Sequence, residues 1–222
     1  MGAVLGKTNR LFWLGRYNER VYTSVKFAVA LYDRSIDGPP ADYADVCRRL
    51  DIPCPYSGAT EFFRSFFFDA ANPDSIAQSA DRMLGNGMVL REVISSTTLS
   101  YLQMAVNALT LAAVSVSPAL ELQWVLDDIM AFRGSCEDCI VDETARNIIK
   151  CGISVERVSM FERLGIQREE SALELLKLVN RMAKTKLPVS PAHQDVILQK
   201  VVGGIEPTGD ALLVAVESLF LI

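Results

Sequence analysis

The chain has 222 residues and a mass of 24.5 kDa, room for one large domain or two small ones around a sizeable core. Half of the residues are hydrophobic and 22% are charged, which excludes general disorder. A net charge of −5 and a pI near 5.0 disfavour nucleic acid, and the single histidine, His193, excludes any site needing two histidines of one chain.

The N-terminus carries no charged region before its short apolar run, so no secretory signal is expected. Gly6 stands where a myristoylation motif needs Ser or Thr. Gly2 to Thr8 imitates a phosphate loop but has three residues between its glycines where four are required. Five cysteines, an odd number, fit a reducing cytosol, and a cytoplasmic protein is expected.

Thr8 or Asn9 caps a first helix to about Arg34, with an apolar stripe through Leu11, Leu14, Val21, Val25, Ala28 and Tyr32. Asn18 falls inside that stripe, where a buried amide fixes register. Gly38-Pro39-Pro40 ends the helix, and a short helix follows over 41–50. The segment 51–58 is a loop. Five phenylalanines between Glu61 and Asp69 suit one broad helix face, with no strand available to pair with them.

Asn72-Pro73-Asp74-Ser75 starts the next helix, with Asn72 as the cap, and that helix runs to about Val93. Gly85 and Gly87 inside it predict a kink or a close contact. No charged residue occurs from Val93 to Leu120, but the many Ser, Thr, Asn and Gln side chains favour a helix buried in a soluble bundle over a membrane span. Helices over 96–114, 118–133, 143–164, 167–184 and 191–202 follow, and Pro207 opens a last one. Its apolar end, Val216 to Ile222, suits a core more than an interface.

Together these elements predict an all-α fold, a single bundle of seven to nine helices over 1–222, with no linker dividing it into domains. An internal repeat runs through it. Gly15, Glu19, Arg20 and Val21 in the first helix match Gly152, Glu156, Arg157 and Val158 in the helix over 143–164. Glycine allows a close crossing, and the Glu one turn on lies on the same face. Two such helices packed in pseudo-symmetry bring both Glu and both Arg into one layer. That layer is a crossed set of ion pairs, Glu19 with Arg157 and Glu156 with Arg20, or an anion pocket of Arg16, Arg20 and Arg157, or a pair of carboxylates for acid–base or metal work.

Cys136-Glu-Asp-Cys139 has zinc or redox spacing and could join Cys47 and Cys54 in a four-thiolate site, although free thiols fit the acidic surroundings better. His193 lacks the partner of a ferritin-like Glu-x-x-His pair and is read as a surface or capping residue. No cofactor is assigned.

Trp13-Leu-Gly-Arg-Tyr-Asn-Glu-Arg20 resembles the WLGRYxER opening of the bacterial alpha-E family. Asn72-Pro-Asp-Ser-Ile76 resembles its NPxSI segment, and Asn86, Arg91, Glu92 and Ser95 resemble the run that follows. The segment 142–158 resembles its second LGRxxER helix, with Ile153 and Ala145 departing from the pattern there and Met88 departing from the arginine of the earlier run. The resemblance implies a helical protein, often encoded beside an ATP-grasp enzyme and a transglutaminase-like protein. It offers Arg16, Glu19, Arg20, Asn72, Arg91, Glu92, Glu156 and Arg157 as site candidates. The leading expectation is a non-catalytic module that binds such an ATP-grasp or peptide-modifying enzyme, or its peptide. The alternative is an enzyme or enzyme subunit in amide chemistry with an Arg/Glu pocket. A homo-oligomer stays open.

Overall fold

A computed structural model describes residues 2–38, 42–207 and 209–222. The fold is all-α. Eleven helices are described and no strand, apart from one isolated antiparallel bridge between Val189 and Phe220. In chain order they are α1 (Gly2–Asp37), α2 (Tyr43–Leu50), α3 (Ala59–Phe68), α4 (Ile76–Val89), α5 (Arg91–Ile94), α6 (Ser96–Ala112), α7 (Ala119–Cys139), α8 (Glu143–Leu164), α9 (Arg168–Met182), α10 (Pro191–Val201) and α11 (Ala211–Glu217). That exceeds the expected seven to nine, in part because a break at Leu90 splits one expected helix into α4 and α5.

The chain forms two compact units. One comprises residues 1–19 with 141–222, and the other residues 20–140. α1 contributes to both.

In the first unit α8 is the central element. Fifteen of its 22 residues are buried, so it is enclosed on nearly every side and shows little amphipathic bias. Asp142 caps its start by accepting from the amides of Thr144 and Ala145. Gly165 ends it in the left-handed region at φ 65°, where glycine is at ease. α9 and α11 pack on α8, and α10 packs on α9 and α11. The chain end folds back onto the segment before α10. The Ser190 amide donates to Leu219 O at 2.8 Å and the Leu221 amide to Pro188 O at 2.9 Å. Val216 and Leu219 are fully buried, so the first part of the apolar C-terminal run is core, while Leu221 is exposed. His193 meets the Ser218 carbonyl at 3.0 Å and so caps the end of α11, as expected of it. α11 begins at Ala211, later than Pro207 suggested.

In the second unit the phenylalanine-rich stretch is helical, as its spacing predicts. Phe62, Phe66 and Phe67 of α3 are buried, and Tyr43, Tyr56 and Phe66 gather around the Phe62 ring. α6 packs against α7 and α4. Only one face of α6 is buried, through Thr98, Leu102, Ala105, Ala108, Leu109 and Ala112. The expectation of a wholly buried charge-free helix is thereby corrected: its Ser, Gln and Asn side chains mark an open face. No described helix is long and apolar enough to cross a membrane.

Three boundaries also differ from expectation. α1 is helical from Gly2, so Thr8 and Asn9 are interior residues, not caps. α7 runs through Gly134 to Cys139, because an exposed glycine costs a helix only about 1 kcal/mol. Ser75, not Asn72, caps α4, its hydroxyl accepting from the Gln78 amide at 2.9 Å. The break expected at Gly38-Pro39-Pro40 lies partly outside the described residues.

Candidate functional site

The site is built where the first part of α1 crosses α8. A Cβ placed on Gly15 would lie 2.0 Å from the carbonyl oxygen of Ile149, and one on Gly152 would lie 2.1 Å from that of Phe12. Each glycine thus sits against the residue three positions before the other. Any side chain at either point would push the backbones apart.

Glu19 and Glu156 follow one turn after these glycines. Both are buried, at 1% and 2% exposure. Neither can stay ionised there without partners. Arg157 donates from Nη2 to Glu19 at 2.6 Å, and Arg16 donates from Nε to Glu156 at 2.7 Å. The Arg16 guanidinium also lies 4.7 Å from the centre of the Trp13 ring, which holds its planar group in place. Of the two crossed pairs expected, Glu19 with Arg157 is present. Arg16 is a partner of Glu156 that the spacing did not indicate.

A third carboxylate completes the layer. Glu174 of α9 is 2% exposed. It accepts from Ser154 Oγ at 2.6 Å, Arg157 Nη1 at 3.1 Å, Lys177 Nζ at 3.2 Å and Arg181 Nη1 at 3.2 Å. Arg157 therefore bridges two carboxylates through its two terminal nitrogens, a role its planar fork suits. Ser154 also accepts from Arg181.

These contacts set the electrostatics. Burial alone would raise the Glu174 pKa, but the Ser154 hydroxyl, the Arg157 charge and Lys177 outweigh it and bring it down to about 2. Burial likewise opposes the charge on Arg157, and the bond to Glu19 with the charges of Glu19 and Glu174 raises its pKa instead. Such groups keep their charge at neutral pH. A carboxyl at about 2 is a poor general base, since proton transfer works best with a pKa near the working pH. What the layer does chemically is lock α1, α8 and α9 in one register.

The remaining candidates stand in the second unit, where Asn72 and Arg91 have local partners. Asn72 donates from Nδ2 to Tyr56 OH and Ser65 Oγ, both at 3.1 Å, and its Oδ1 accepts from the Asp74 amide. It ties the turn before α4 to α3 and to the loop over 51–58. Arg91 is exposed and donates to Ser96 Oγ at 3.0 Å across the α5–α6 junction. Glu92 is exposed, and Arg20 is half-buried on α1.

Glu174, Ser154 and Arg181 were missed in the sequence. A faint signal existed for the first. Ser171, Leu175 and Leu178 make the buried stripe of α9, and Glu174 falls within it.

Cys136 is buried near the end of α7, and Cys139 accepts from Ser135 Oγ at 3.5 Å. Among the described residues no three His, Cys, Asp or Glu side chains converge as metal ligands, which removes the four-thiolate arrangement. None of the five cysteines forms a disulfide.

The model of the Alpha-E family, described as a predicted alpha-helical domain with a conserved ER motif, matches residues 7–184. Glu-Arg pairs stand at 19–20, 156–157 and 162–163, and the first two supply two of the three carboxylates and one arginine of the layer described above. No curated protein and no solved structure matches the chain.

Proposed function

The chain belongs to the Alpha-E family, and on that premise we propose that it is a non-catalytic helical module. It binds an ATP-grasp or other peptide-modifying enzyme, or carries that enzyme's peptide, in the cytoplasm. The observation that carries this reading is the closure of the Glu/Arg layer. Its three carboxylates are 1–2% exposed and each is met by an arginine. A catalytic pocket would leave at least one of these groups facing a substrate. A structural layer spends them on holding helices together, and buried pairs of this kind chiefly penalise wrong packing. The reciprocal contacts of Gly15 and Gly152 support the further reading that α1 and α8 are copies of one repeat. The family match runs through both compact units, which favours treating 1–222 as one functional domain.

The test is reconstitution with an ATP-grasp or transglutaminase-like enzyme from the same source. A stoichiometric complex on size exclusion is expected. The enzyme should keep forming product with a folded Glu19→Gln chain. A variant that folds and binds the enzyme but abolishes the product would instead establish catalysis by the layer, and absence of any complex would remove the module reading.

A further inference from the structure

The open side of the α6–α7 pair is unusual for an exposed surface. α6 holds no charged residue from Ser96 to Ala112. Met104 and Leu111 of α6 and Trp124 of α7 are about half exposed and line one groove of about 320 Å³. Val114, Val116 and Leu120, in the connection from α6 to α7 and the start of α7, are also more than half exposed. Contiguous apolar surface of this kind marks contact with another molecule.

The groove is acidic along its α7 side. Asp127 and Asp128 line it, and Glu121 lies one turn before Trp124. None of the three forms an ion pair with a described cation. Among the described residues Asp127 accepts from the neutral Gln123 alone, at 2.8 Å. One carboxylate oxygen of Glu121 is shielded from solvent with no hydrogen-bond partner. Partial burial and the neighbouring charge of Asp127 raise the Asp128 pKa, so the charge there is held at a cost that a cation would relieve.

We propose that this groove receives an amphipathic helix of a partner protein, with apolar residues seated on Met104, Leu111 and Trp124 and Lys or Arg side chains meeting Asp127 and Asp128. The occupant follows from charge. A second copy placed symmetrically would bring the same acids against themselves, in a chain already at −5. A basic helix satisfies both the apolar floor and the acidic side in the helix-in-groove mode. The inference rests on the module reading and names the surface that module uses.

The probes are two labelled peptides about four helical turns long, with the same leucine stripe. One flanks it with lysines and the other with glutamates. Fluorescence anisotropy with the full chain should show binding of the lysine peptide and at least about ten-fold weaker binding of the glutamate peptide. Leu111→Gln and Trp124→Gln, both at exposed positions and checked for folding by circular dichroism, should each weaken binding about ten-fold. Asp127→Asn with Asp128→Asn should abolish the preference for lysine. Equal binding of both peptides, no binding of either, or indifference to Leu111→Gln would overturn the proposal. So would a wild-type dimer in sedimentation that Leu111→Gln converts to monomer, since a second copy would then be the occupant. An enzyme complex that survives Leu111→Gln removes the groove and leaves the module reading standing. Peptide binding without any enzyme complex does the reverse.

Discussion

Gly152 lies so close to Phe12 that a single methyl group on it would strike the Phe12 carbonyl oxygen, and Gly15 stands in the same relation to Ile149. The space belongs to main chain, which cannot turn aside as a side chain can. Gly15→Ala and Gly152→Ala should therefore each destabilise the protein by about 1–3 kcal/mol despite the better helix propensity of alanine. Gly85→Ala is the contrast. Nothing lies within 4 Å of its Cβ position, and the change should stabilise by up to about 1 kcal/mol. Urea unfolding of the three variants checks the order.

Arg157 serves Glu19 and Glu174 at once. Arg157→Met leaves two buried carboxylates short of a partner and should cost about 3–5 kcal/mol. Arg157→Lys should recover little, because one ammonium cannot span both acceptors. Adding Glu19→Gln to Arg157→Met should restore part of the loss, and a double-mutant cycle measures the coupling.

The lowered pKa of Glu174 makes acid sensitivity predictable. The group is held near 2 in the fold against an ordinary value of 4.5. Its stabilising contribution is complete above about pH 4.5 and is lost as pH falls towards 2. Glu174→Gln should lower stability at neutral pH and flatten the decline across that window. Urea midpoints taken at several pH values show whether the slope changes.

The thiols should separate by burial. Burial pushes the Cys151 thiol up to about 12, with Arg181 opposing only in part. Burial and the neighbouring Cys54 do the same for Cys47. A thiolate reagent near neutral pH should label exposed Cys54 first and reach Cys47, Cys136 and Cys151 only as the chain unfolds. Mass mapping of the labelled peptides decides it.

Local signals carried most of the fold. Asp142, Gly165 and Pro191 mark helix ends through short-range chemistry, and the helices stand where these residues put them. Two boundaries were not readable. Gly134 looked like an end to α7 and is not, and Leu90 gave no warning of the break between α4 and α5. The layer was half legible. Glu19, Glu156 and Arg157 repeat a spacing, whereas Glu174 reaches them only through the packing of α9 on α8. Arg16 was named as a candidate, but its partner depends on the crossing geometry of two helices 140 residues apart in the chain.

The two-part first unit imposes an order on synthesis. Residues 20–140 are continuous and can fold as soon as they leave the ribosome. The first nineteen residues cannot complete their unit until α8 has been made. Until then the apolar Leu11, Phe12 and Leu14 lack the rest of the unit that buries them, and the nascent chain needs either a chaperone or speed to protect that turn of helix from stray association.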